Sequence, residues 1–227
     1  MTQIVSQLIF ILAGVLLGIG FIALGVKSAA KNCRTPYIFW GASFFFLGGW
    51  DVFDIMRSRE IISPDAALYL AHLSWLVFLI LLYFGTIYIF TKRIFVGLTY
   101  ILLVPAVLTA LLIIFLPSQT TLIALASGFV VFIPFQLVLG ILSWFLGISV
   151  FRDLPRLFTY WTMGAAFFLF SVESAAISIS PIFHNDLSQT AFDAGNTSYL
   201  GVIGEILLIL AFFSLLFHSM KQKKECF

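Results

Sequence analysis

In a chain of 227 residues, 62% are hydrophobic, 17% aromatic and only 10% charged, and the formal net charge is +2. Soluble domains carry about 25% charged residues, so this composition excludes a water-soluble globular protein and points to lipid as the solvent. Twelve Lys and Arg against ten Asp and Glu leave no basic surplus of the kind that tracks phosphates, and no nucleic-acid partner is expected.

Seven apolar stretches follow one another: Ile4–Val26, Tyr37–Met56, Ala66–Phe90, Phe95–Leu116, Leu122–Phe151, Leu157–Ser180 and Tyr199–Met220. Each is near or above the ~20 residues with which a helix crosses a ~30 Å hydrocarbon core. None alternates as a barrel strand would, and a lipid-facing backbone must satisfy its own hydrogen bonds, so all seven are predicted helices. The expected fold class is all-α, a polytopic membrane protein with seven transmembrane helices, and 1–227 forms a single transmembrane domain. Too little chain lies between the spans for a soluble domain of ordinary size.

The first span lacks a basic leader and a clear cleavage site, so it is expected to stay in place rather than act as a secretory signal. Its Gly14 and Gly18 form a small-xxx-small pair for close helix contact within the bundle. Lys27, Lys31 and Arg34 follow it, with Cys33 among them. The second span carries Asp51 and Asp54 late and is followed by Arg57 and Arg59. Pro36 and Pro155 are read as helix starts, Pro64 as the residue ahead of the third helix and Pro117 as the end of the fourth. Pro105 and Pro134 fall inside the fourth and fifth spans, where each is expected to kink its helix. The longest polar connection, 181–198, contains His184, Asp186 and Asp193 and the acceptor pattern Asn196-Thr197-Ser198. At the tail, Cys226 lacks a prenylation box.

Basic residues fix an orientation. Ten of the twelve (Lys27, Lys31, Arg34, Lys92, Arg93, Arg152, Arg156, Lys221, Lys223 and Lys224) fall at one set of alternate span ends, and only Arg57 and Arg59 fall at the other. The positive-inside rule then puts the N-terminus outside and the C-terminus in the cytoplasm, in a plasma or inner membrane. Cys33 and Cys226 lie on the reducing side, so no structural disulfide is expected.

Gly41-Ala42-Ser43-Phe44-Phe45-Phe46-Leu47 in the second span resembles Gly164-Ala165-Ala166-Phe167-Phe168-Leu169-Phe170 in the sixth, with Trp40 and Trp161 ahead of them. The match suggests a 3+1+3 arrangement, two parallel repeats over 4–90 and 122–220 joined by the helix 95–116, a symmetry that some transporters use.

Ionisable side chains in hydrocarbon cost ~2.5–3.5 kcal/mol or more at a helix centre, which makes each a functional candidate. At ~1.5 Å per residue, Asp51, His72, Glu173 and Glu205, on four different helices, all lie roughly 6–11 Å below the outer surface. The inner half has no such residue. If these side chains face one another they form an acidic pocket, in which Trp50 and Trp75, with Tyr69 and Tyr199 nearby, hold the apolar part of a cation or contact it through their ring faces. Asp54 is instead expected to pair with Arg57, three residues on.

These features predict a membrane module, without a catalytic signature, that binds a small cation, proton or amphipathic ligand in its outer half for transport or signal input. An accessory subunit of a larger membrane complex is the alternative. A third reading is a metal-dependent enzyme of the outer leaflet using His72, Asp51, Glu173 and Glu205, although one intramembrane histidine is a thin ligand set. The seventh span has no lysine, which excludes a covalent retinal. Expected partners are the bilayer, a small ion or lipophilic ligand and, on the alternative reading, neighbouring membrane subunits; no cofactor is identified.

Overall fold

In the computed structural model, the described residues are 2–28, 31–89, 95–116, 126–149, 154–179 and 199–221. Every element among them is helical. Seven helices are long and apolar enough to cross a membrane: Ile4–Lys27, Arg34–Ser58, Pro64–Ile87, Gly97–Phe115, Gly128–Ile148, Leu157–Ser178 and Tyr199–Met220. They are called here the first to seventh spans. The 181–198 connection, with its acceptor pattern, and the tail beyond 221 lie outside the described residues.

Six spans close into a ring, each packed on the next in the order first, second, third, fifth, sixth, seventh and back to the first. The fourth stands outside it, against the third and fifth. It turns Tyr100, Ile101, Val104, Val107 and Leu108 outward, as an apolar helix facing lipid does. The ring is filled by aromatic side chains. Phe21, Trp40, Phe44, Phe78 and Phe212 are fully or almost fully buried, and Phe44 meets Phe212 edge-on with ring centroids 4.6 Å apart. Trp40 and Phe212 are a further edge-on pair at 5.7 Å. Such geometry aligns positive ring edges with negative faces.

Small residues set the close approaches. A Cβ on Gly18 would lie 3.0 Å from the Gly41 carbonyl oxygen and from the Phe45 ring, and one on Gly140 would lie 3.3 Å from the Gly164 carbonyl oxygen and 3.1 Å from the Phe168 ring. The two crossings thus use residues that correspond in the internal match, Gly41 with Gly164 and Phe45 with Phe168. The tryptophans do not correspond. Trp40 is buried and donates its indole N–H to Thr86 at 3.3 Å, whereas Trp161 is half exposed beside Trp144.

Local structure departs from uniform helices at one end of the ring, where the first, third, fifth and seventh spans begin. The second span is two helices, Lys31–Leu47 and Gly49–Ser58, interrupted at Gly48. The Ser74 hydroxyl of the third span donates to the Phe46 carbonyl at 3.0 Å, supplying a partner at the break where hydrocarbon has none. Gly49 makes room for it, because a Cβ there would collide with Ser74. The fifth span opens with a π turn, Gly128–Phe132, closed by the Ile133 N–H on the Gly128 carbonyl. The wider turn precedes Pro134, whose ring would crowd a regular α turn. Pro36 is a correction to the sequence reading: the helix begins at Lys31 and Pro36 lies inside it. Pro64 is the first residue of its helix, capped by Ser63, whose hydroxyl accepts the Ala66 N–H.

The second span ends on Glu60 in the left-handed region, φ 57°. Glu60 N–H bonds to the Arg57 carbonyl and Ile61 N–H to the Met56 carbonyl, each at 2.9 Å, the paired closure of a Schellman motif, whose left-handed position favours glycine. Replacing Glu60 by Gly removes the Cβ penalty of ~1 kcal/mol. Glu60→Gly is therefore expected to raise the unfolding midpoint of the purified protein in detergent, and Glu60→Val to lower it.

Candidate functional site

Two polar assemblies form at this acidic end. The first is closed. Asp54, 4% exposed, accepts from Arg57 Nε at 3.1 Å and from an Arg57 terminal nitrogen at 2.8 Å on one oxygen, and from Gln7 Nε2 at 2.9 Å on the other. The i,i+3 spacing brings Arg57 over Asp54 on one helical face. Gln7 arrives from the first span. Asp54 is thus a fastening between helices, as the spacing to Arg57 predicted.

The second assembly is open. Trp50, Asp51, His72, Trp75, Glu173 and Glu205, all singled out from sequence, line one cavity of about 130 Å³. Every span of the ring contributes to its wall, and the fourth does not. Among the described residues no lysine or arginine lines it. Asp51 is 8% exposed, and its Oδ2 has no hydrogen-bond partner among the described residues. The carboxylates of Asp51 and Glu173 both lie within electrostatic reach of Glu205. Glu173 is seated against the backbone of Gly201, where a Cβ would overlap its carboxylate; Ser178 is seated likewise on Gly128.

His72 is held on three sides. Its Nδ1 lies 2.9 Å from the Leu68 carbonyl oxygen, and because a carbonyl only accepts, Nδ1 carries the hydrogen. The ring sits between Trp50 and Phe132, with centroids 5.5 Å from each. That leaves Nε2 of the neutral ring as an acceptor.

Aromatic residues close the floor. Trp75 meets Phe170 edge-on at 5.3 Å and Phe78 at 5.0 Å, and beneath them lies the buried cluster of Phe44, Phe212, Trp40 and Phe21. Beside the cavity Ser174 donates to the Gln136 side-chain oxygen at 3.0 Å. At the rim, Trp50, Phe53, Ile62 and Ile177 pack on buried Ala67, Leu68 and Ala71.

Sequence reasoning missed Gln7, Phe10, Phe132 and Phe170 as cavity residues. Gln7 carried a readable signal, an amide at the start of an apolar span. The phenylalanines did not, because nothing distinguishes them from others among 27. Among the described residues no three His, Cys, Asp or Glu side chains converge as a metal-ligand set. Depth alone had made the four titratable residues a conceivable set. Comparison with known proteins identifies no relatives: no family model matches the chain, nor does any curated protein or solved structure.

Breaking a buried pair on one side costs ~3–5 kcal/mol. Gln7 remains on Asp54, so Arg57→Gln is expected to destabilise by about 3 kcal/mol in reversible unfolding. Asp54→Asn on that background should restore most of the loss, because the uncompensated charge is then gone.

Proposed function

We propose that the chain is a multi-pass membrane protein that takes up a small organic cation in the acidic cavity, facing the exterior of a plasma or inner membrane, for transport or signal input. The reading rests on one observation above the rest: among the described residues, Asp51 Oδ2 is buried without a hydrogen-bond partner in a cavity that two further carboxylates line and no lysine or arginine does. An unpaired buried carboxylate is unfavourable by several kcal/mol, and a cationic guest removes that penalty. Trp50 and Trp75 supply ring faces that attract a cation further.

Size and shape narrow the guest. About 130 Å³ is close to the ~150 Å³ of a cavity that holds one benzene molecule, so the guest is compact. The aromatic floor argues against a water-filled pore and for a site reached from one side, which suits either a sensor or a carrier that alternates its access. The paired glycine crossings, Gly18 on Gly41 and Gly140 on Gly164, support two parallel repeats and with them the carrier. The interrupted second span and the π turn of the fifth, both at the cavity, fit that role, since discontinuous helices build many transporter sites. The excess of basic residues at the opposite span ends supports an exterior acidic end.

Binding of ammonium ions from methylammonium to benzylammonium to the purified protein, followed by thermal shift and calorimetry, tests the reading. Asp51→Asn and Glu205→Gln are each expected to weaken the best binder at least tenfold, about 1.4 kcal/mol, while expression and detergent monodispersity stay as in the parent. Unaltered affinity in both variants overturns the assignment.

A further inference from the structure

Resting on the reading of the cavity as a cation site, the pattern of acceptors within it points to one kind of cation. Glu173 and Glu205 also line it with carboxylates, but two more deeply buried lining side chains present acceptors of different kinds: Asp51, through Oδ2, and His72, whose Nδ1 is committed to Leu68, through Nε2. Both side chains are more than nine-tenths buried. They come from different spans, the second and the third, so a guest that satisfies both carries at least two polar hydrogens, which one ammonium group can supply.

Three cation classes fare differently against this pattern. A bare metal ion needs several oxygen or nitrogen donors at short range, and no three such side chains converge among the described residues. A quaternary ammonium is attracted by the charge and by the Trp50 and Trp75 rings but has no N–H, so Asp51 Oδ2 would remain without a hydrogen bond. A primary or secondary ammonium gives charge and N–H donors together, and charge-assisted bonds to carboxylate are the strong kind. Phe10, Trp75, Phe132 and Phe170 line the remainder, which suits an apolar group about the size of a single ring.

We infer that the ligand is an N–H-bearing ammonium with a ring-sized apolar group, held between Asp51 and His72, rather than a quaternary ammonium or a metal ion.

Calorimetric titration of the full-length protein in nanodiscs with benzylammonium, benzyltrimethylammonium and benzyl alcohol separates the possibilities. The expected result is benzylammonium at least tenfold tighter than either of the others. His72→Phe, which keeps a ring between Trp50 and Phe132 but loses the acceptor, is expected to reduce the preference over benzyltrimethylammonium to threefold or less; should it fail to fold, His72→Leu is read in the same way. Equal affinity for the two cations, or an undiminished preference in a folded His72 variant, overturns the N–H assignment and leaves the cation site standing. Benzyl alcohol binding as tightly as benzylammonium overturns the cation reading itself. Binding of none of the three overturns both.

Discussion

Hydrocarbon offers neither hydrogen bonds nor counter-ions, so each polar group carried by these helices must be answered from inside the ring. Most are. Asp54 is answered twice over, by Arg57 and by Gln7. The Phe46 carbonyl at the broken second span is answered by Ser74, and the Trp40 indole by Thr86. Against that background, among the described residues, Gln136 Nε2 and the Asp51 carboxylate oxygen Oδ2 are buried without a hydrogen-bond partner, and the acidic one, Asp51, is the exception on which the functional reading turns.

The exception is local because the ring is asymmetric along its axis. Large aromatic side chains fill the middle, where Phe44, Phe78 and Phe212 interlock. Toward the acidic end the helices cannot pack as tightly: the second span breaks at Gly48 and the fifth widens into a π turn. Polar side chains enter the space so created and rest directly on glycine backbone, Ser74 on Gly49, Ser178 on Gly128 and Glu173 on Gly201. The irregular backbone and the cavity are therefore one feature. Non-helical backbone at membrane depth persists only where protein or a lined cavity surrounds it, and both conditions hold here.

The structure brings into one cavity the four titratable residues that counting along the spans had put at one level. A helix rises by a constant amount per residue, so the common level of Asp51, His72, Glu173 and Glu205 could be counted along four separate spans. The Asp54–Arg57 pair was equally legible, being set by spacing on a single helix. The partnership of Asp54 with Gln7 was not, since residues 47 positions apart meet only through packing of the first span on the second. Pro36, read as a helix start, shows the limit at boundaries, for the helix continues a turn ahead of it to Lys31.

From its sequence alone this chain was determined to be seven apolar helices with their titratable side chains gathered at one level, because span length, charge position and axial rise are properties of single segments. Tertiary structure decided which way those side chains point. Facing is set by how neighbouring helices rotate to seat side chains on glycines, and this interlocking of Gly18 with Gly41, Gly140 with Gly164 and Glu173 with Gly201 depends on contacts between distant segments. That rotation turns four isolated residues into the wall of one cavity and leaves the fourth span outside it.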